Sequence, residues 1–167
     1  MARTYTASVI GAGSGGVLSM RGLAGSERFE LKAVADISDA ACEAAAEQFP
    51  GIRTFADHRE MFAECPTDVV CVSTWAPSHL AITRDALRQD LTGILVEKPL
   101  ADTHEDGRAL LQTIREAELP VVVPHGLLVM NHVDRIIDHV RAGDIGDLKL
   151  VEIQCTNWDI INAGIHW

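Results

Sequence analysis

An α/β fold built on a doubly wound parallel sheet is predicted by three observations. Short runs that are apolar on successive residues alternate with stretches of helical length. The first of those runs feeds directly into a glycine-rich turn. Aromatics make up only 5% of a chain that is 47% hydrophobic, so its core is built from Ala, Val, Ile and Leu. Side chains of that size let helices lie close on a sheet.

The elements follow in order. Ala7–Ile10 reads as the first strand, and the turn at 11–16 opens a helix over Ser14–Leu23. Leu31–Ala35 is the second strand and Asp39–Phe49 the second helix. A weaker strand at Ile52–Phe55 leads to a helix over His58–Glu64. Val69–Ser73, Ile94–Val96 and Val121–Val123 are the remaining strands of the sheet, separated by helices over Ser78–Gln89 and Thr103–Leu119. Continuous apolar runs, in place of alternating ones, are what strands covered on both faces require. Strand-helix alternation then implies parallel pairing with right-handed crossovers.

The pattern changes in the last third. Val129, Val133, Ile136, Ile137 and Val140 fall on one stripe of a helix over Val129–Arg141, with Gly143 as its stop and 144–147 as a turn. Val151, Ile153 and Cys155 then alternate with Glu152, Gln154 and Thr156, the mark of a strand with one wet face. This strand, over 148–156, is read as the first of a truncated α+β domain, because only twelve residues follow Cys155. The expected organisation is a dinucleotide-binding domain over 1–124, then a linking helix and the beginning of a substrate or oligomerisation domain over 125–167. An unpaired edge at 148–156 predicts self-association through that segment.

Composition excludes several partners. The formal net charge is −10 and no Lys/Arg cluster occurs, so neither nucleic acid nor an anionic membrane finds concentrated positive charge here. No apolar run approaches the ~18 residues of a membrane span. Met1-Ala2-Arg3-Thr4 leads straight into a strand pattern, which leaves no room for a signal peptide. Cys42, Cys65, Cys71 and Cys155 form no CxxC pair and are expected as buried free thiols in a reducing cytoplasm. His132 and His139 lie seven apart on the polar side of their helix, with no carboxylate or Cys to complete a set, so no metal site is expected.

The turn after the first strand carries chemistry. Gly11, Gly13 and Gly16 give G-x-G-x-x-G, with Ser14 and Gly15 between the last two. Gly11 permits the tight turn, Gly13 lets backbone approach a pyrophosphate, and Gly16 lets helix and strand pack closely. The free N–H groups and dipole of the helix N-terminus favour the negative charge. Asp36 ends the second strand, 25 residues after Gly11, against the usual ~20. Its carboxylate can accept hydrogen bonds from both adenosine ribose hydroxyls and repels a 2′-phosphate. NAD is therefore predicted over NADP, on a Rossmann fold.

A second constellation lies further along. The strand at 69–73 runs into Thr74, Trp75, Ala76, Pro77, Ser78 and His79, where a helix opens. The strand at 94–96 ends in Glu97, Lys98 and Pro99. Ligands bind beyond the carboxyl ends of the strands in an open parallel sheet, so Thr74, Lys98 and the glycines should converge.

With these residues the sequence resembles the Gfo/Idh/MocA oxidoreductases, a family that includes inositol, glucose and other sugar dehydrogenases. The resemblance rests on 11–16, on Val34-Ala35-Asp36, on Thr74 with His79, on Glu97-Lys98-Pro99 and on Gly143-Asp144-Ile145-Gly146. It implies an NAD-dependent dehydrogenase of a sugar- or polyol-like alcohol, homo-oligomeric in its full-length form. It further implies that Lys98 contacts substrate and nicotinamide, that Glu97 helps hold the lysine and the cofactor, and that His79 stands near the nicotinamide. His166 matches the family's catalytic histidine and, with Lys98, would take the hydroxyl proton. An imidazole has a suitable pKa for that task. Three positions depart from the family. Asn162 stands for its Asp, Trp75 for a common proline, and 125–131 lacks an arginine. Trp75 either lies against the cofactor or caps the sheet. Cofactor binding with little or no turnover is expected of this chain by itself. A stand-alone NAD-binding module without catalysis is the alternative, and another Rossmann reductase a third possibility.

Overall fold

The computed structural model describes residues 3–126 and 131–152. It divides the chain into two compact units, Met1–Pro124 and His125–Trp167.

The first unit is a six-stranded sheet in which every pairing is parallel. Its strands are β1 (Tyr5–Ile10), β2 (Phe29–Ala35), β3 (Arg53–Phe55), β4 (Val69–Val72), β5 (Gly93–Val96) and β6 (Val121–Val122). They lie in the order β3-β2-β1-β4-β5-β6. The order reverses between β1 and β4, and a ligand crevice opens at that switch point beyond the strand carboxyl ends. The helices are α1 (Ser14–Ala24), α2 (Asp39–Gln48), α3 (His58–Glu64), α4 (His79–Ala86) and α5 (His104–Glu116).

Two core layers explain the continuous apolar strands. Ala7 and Val9 of β1, Val34 of β2 and Cys71 of β4 bury themselves with Met20 and Leu23 of α1 and Ala45 of α2. The alternate residues Ile10, Ala33, Ala35, Val70 and Val72 pack with Met61 and Phe62 of α3, Ile82 and Ala86 of α4 and Leu110 of α5. Each strand therefore needs apolar side chains at odd and even positions alike.

Helix starts follow from their caps. Ser38 Oγ accepts from Ala41 N–H at α2, Asp57 from Arg59 N–H at α3, and Thr103 from Asp106 N–H at α5. The expected helix from Ser78 instead begins with a 3₁₀ turn over Ala76–Ser78, where Pro77 occupies a first-turn position. Expected Thr103–Leu119 shortens to α5, because Pro120 blocks continuation.

β1 starts at Tyr5, two residues before its apolar run, and Asp68 accounts for the extension. Its carboxylate accepts from Thr6 N–H at 2.8 Å, Thr6 Oγ1 at 2.7 Å and Arg3 at 2.9 Å. The Thr6 bonds hold this carboxyl below its ordinary range, with Arg3 adding to the effect. A depressed folded pKa gives stability that is present above the unfolded value of about 3.9 and lost as pH falls through the folded one. Asp68→Ala is expected to cost about 1–2 kcal/mol at pH 7. The gap to the parent should narrow below pH 4 in urea denaturation; a gap independent of pH would contradict this.

The second unit contains α6 (Asn131–Ala142), which ends where Gly143 takes φ +78° and its N–H bonds to the Val140 carbonyl. Residues 127–130 of the expected helix lie outside the described residues. Of the strand expected at 148–156, residues 148–152 are not in a strand and 153–156 lie outside the described residues. A strand exists only where a neighbour accepts its ladder.

Candidate functional site

The β1–α1 turn is shaped by contacts that tolerate no side chain at two places. Gly11 takes φ +97°, and its N–H donates to the Ala35 carbonyl at 2.7 Å. A Cβ there would stand 2.6 Å from the Ser73 carbonyl oxygen, and one on Gly16 only 1.8 Å from the Gly11 oxygen. Gly13 is different: a Cβ would meet nothing within 4 Å. It is exposed and caps α1 without a side chain. The first intrahelical bond of α1 is Val17 N–H to the Gly13 carbonyl at 2.9 Å, so the N–H groups of Ser14, Gly15 and Gly16 precede the ladder. Open backbone at a helix N-terminus fits a diphosphate. A cleft of about 460 Å³ adjoins it, lined by Ala12, Gly13, Ser14, Val17, Leu18 and Arg21. Arg21 is engaged elsewhere: with the Gln48 amide oxygen turned toward it, Nε and Nη2 each donate over 2.9 Å.

Asp36 is joined to this turn. Its Oδ2 accepts from Ala12 N–H at 2.6 Å and its Oδ1 from Ser38 N–H at 2.9 Å. Each carboxylate oxygen keeps a further lone pair, enough for two hydroxyl donors. The next residue, Ile37, is 96% exposed, an apolar surface beside the carboxylate that strand patterning did not single out. Cys42 lies behind it, its thiol donating to the Asp36 and Phe55 carbonyls; burial pushes that thiol up.

Beyond β4 and β5 stand the other expected residues. Ser78 Oγ donates to the Trp75 carbonyl at 2.8 Å, so the 2.7 Å contact between Ser78 and Thr74 is made with the Thr74 proton. The Thr74 oxygen is left as an acceptor. Trp75 is 89% exposed and does not cap the sheet, which removes one of its two expected roles. Glu97 Oε2 accepts from Lys98 N–H at 2.9 Å. Its side chain lies 3.8 Å from where a Gly15 Cβ would stand, so this loop adjoins the glycine turn. Lys98 is exposed, and its bond to Pro99 is cis. Ser73 was missed from sequence: its hydroxyl meets Ser19 at 3.0 Å and its carbonyl packs on Gly11. Cys71, beneath, is no nucleophile, since burial and then Glu97 push its thiol up to about 12.

His79, expected on the nicotinamide side, lies between the loops that carry Thr74 and Lys98. It is fully buried, with Nε2 2.9 Å from the Thr74 carbonyl and Nδ1 3.2 Å from the Leu100 carbonyl. Both ring nitrogens are thereby occupied by backbone. Asn162 and His166 lie outside the described residues. The arrangement gathers Gly11, Gly13, Ser14, Gly15, Gly16 and Asp36 with the Thr74 and Glu97–Lys98 loops at the carboxyl ends of β1, β2, β4 and β5. Among the described residues, no three His, Cys, Asp or Glu side chains could hold a metal, and no helix is long and apolar enough to cross a membrane.

Comparison with known proteins agrees with this geometry. The Gfo/Idh/MocA model, described as an oxidoreductase family with an NAD-binding Rossmann fold, matches residues 6–125. The rhizopine catabolism protein MocA of Rhizobium meliloti is 28% identical over 156 residues, covering 93% of this chain and 47% of that protein. A D-apiose dehydrogenase of Rhizobium rhizogenes is 24% identical over 117 residues, 70% of this chain and 34% of that protein. The chain thus spans about half, or less, of the length of these curated relatives. Among solved structures, scyllo-inositol dehydrogenase of Lactobacillus casei with bound NAD(H) and scyllo-inositol superposes with a TM-score of 0.79 at 21% identity, covering 87% of this chain and 43% of that one. An oxidoreductase of Agrobacterium radiobacter in complex with NAD+, L-tartaric acid and magnesium gives 0.78 at 22%, covering 86% and 42%. At such identity the likeness is one of fold.

Proposed function

The chain belongs to the Gfo/Idh/MocA oxidoreductase family, and from that premise we propose that it is the NAD-holding part of a dehydrogenase acting on a sugar- or polyol-like alcohol. The observation that carries this reading is the Asp36 carboxylate hydrogen-bonded to Ala12 N–H inside the glycine turn. It makes the diphosphate cradle and the ribose acceptor one rigid unit. NAD is the family's cofactor, and when bound it supplies the acceptor for a hydride from the carbinol carbon.

The residues then divide the work. Gly13, Ser14, Gly15 and Gly16 present backbone N–H groups to the diphosphate, and Asp36 accepts from the adenosine ribose. Thr74 offers an acceptor oxygen on the nicotinamide side, with the exposed Trp75 indole beside it. Glu97 holds the Lys98 backbone, and the Lys98 ammonium stabilises the alkoxide that develops as the hydroxyl proton leaves. His166 takes that proton. In support stand an inositol and an apiose dehydrogenase among the similar proteins, both acting on polyhydroxylated carbon. The proposed setting is the reducing cytoplasm, since Cys42, Cys65 and Cys71 are free thiols. The proposed full-length assembly is a homo-oligomer.

Calorimetric titration with NADH and NADPH tests the reading. Binding of NADH in preference to NADPH is expected; binding of neither would overturn it. A second reading, cofactor binding without catalysis, is favoured by Asn162, which cannot bear the negative charge that would support a protonated His166. The two part on NADH production from a panel of inositols and aldoses. NADH production by this chain, or its appearance with Asn162→Asp, supports the dehydrogenase; binding without turnover is expected of this chain by itself under either reading and does not separate them.

A further inference from the structure

His79 is the one imidazole among the described residues with no exposed surface, and neither ring nitrogen faces a side chain. It opens α4, but its ring reaches across to two loops. Nε2 lies 2.9 Å from the Thr74 carbonyl in the β4–α4 loop, and Nδ1 3.2 Å from the Leu100 carbonyl in the β5–α5 loop. These loops begin at the ends of neighbouring strands, and among the described residues the last backbone bond between them is Glu97 N–H to the Val72 carbonyl at 2.8 Å.

Both partners are carbonyl oxygens, so a neutral ring, with one N–H, donates to one of them and packs its other nitrogen against the second. Fully buried, it fills the gap between the two loops and so sets their separation. Moving either loop by about 1 Å would open that hydrogen bond or the contact opposite it. The first carbonyl belongs to Thr74, whose hydroxyl oxygen is left as an acceptor, and the second lies two residues after Lys98. We propose that His79 is a positioning residue that sets the spacing between Thr74 and Lys98, and hence the fit of the nicotinamide half of the cofactor. The proposal rests on the reading that those two residues serve the nicotinamide. The adenosine half depends on β1, β2 and the glycine turn, whereas the His79 ring meets the Thr74 and Leu100 carbonyls.

That division supplies the test. NADH and ADP-ribose, which lacks the nicotinamide, are titrated against the chain and its variants. In the parent, NADH should bind at least tenfold more tightly than ADP-ribose. His79→Leu should keep ADP-ribose affinity within twofold while NADH loses most of its advantage. His79→Gln, whose amide nitrogen carries two N–H donors, should recover NADH affinity to within about threefold of the parent. Should His79→Leu fail to fold, His79→Asn carries the same expectation, since its shorter amide cannot span both carbonyls. Equal loss of both ligands, or retention of NADH affinity in the Leu or Asn variant, would overturn the positioning role alone. A parent chain that binds NADH no better than ADP-ribose would overturn the nicotinamide reading beneath it and the proposal with it.

Discussion

Gly16→Ala should destabilise the first unit by about 3 kcal/mol and lower NADH affinity at least a hundredfold. The added methyl would stand 1.8 Å from the Gly11 carbonyl oxygen and 2.7 Å from its carbon, with Val9 Cγ1 at 3.7 Å. The obstructing atoms are backbone, not the end of a flexible side chain, so α1 must lift off β1 or the turn must re-form. Overpacking of this kind costs roughly 1–3 kcal/mol, and more where nothing can yield. The turn whose N–H groups meet the diphosphate is displaced at the same time. Thermal melts followed by circular dichroism should show a fall of roughly 10 °C. Gly13→Ala separates fold from ligand. A Cβ there meets nothing within 4 Å, so its melt should match the parent while the methyl obstructs the diphosphate and weakens NADH. A Gly16→Ala protein that melts and binds like the parent would show that the close approach of helix and strand is not required.

Asp36→Ala should reduce NADH affinity about a hundredfold and abolish the preference over NADPH. The carboxylate accepts from Ala12 N–H and Ser38 N–H and has lone pairs left for the ribose hydroxyls. A hydrogen bond to a charged group contributes roughly 1.5–3 kcal/mol, so two lost to the ribose give about a hundredfold at the lower end of that range. NADPH gains in relative terms, since the charge that repels its 2′-phosphate is gone. Asp36→Asn keeps an acceptor for Ala12 N–H but carries no charge, so it should retain stability better than Asp36→Ala while losing the discrimination. Calorimetry with both nucleotides checks all three proteins. An unchanged NADH/NADPH ratio in Asp36→Ala would mean that another group selects the cofactor.

Much of the fold was legible because both of its signals are local. A strand buried on two faces is apolar at nearly every position, which Val69–Val72 and Val34–Ala35 show without reference to partners; the exception, Ser8 of β1, meets the Thr67 hydroxyl at 2.9 Å. A cap and its helix lie within a few residues of each other, as at Asp57 and Thr103. Element ends were less legible. β1 begins at Tyr5 because Asp68, 62 residues beyond Thr6, holds that threonine. The alternation read at 151–156 falls mostly outside the described residues, and its first two residues, Val151 and Glu152, are not in a strand.

The sequence by itself determined the fold class, the glycine turn and the acid at the end of β2, since each is a property of a dozen adjacent residues. The strand order β3-β2-β1-β4-β5-β6 decided the rest. It laid the Ser73 carbonyl against Gly11, set Glu97 beside Gly15, and closed Asp36 onto Ala12 N–H. It also set His79 between two carbonyls 26 residues apart in the chain. Hydrogen bonds and close contacts of this kind act over about 3 Å, so they register only which residues the fold brings together. No periodicity along the chain encodes them.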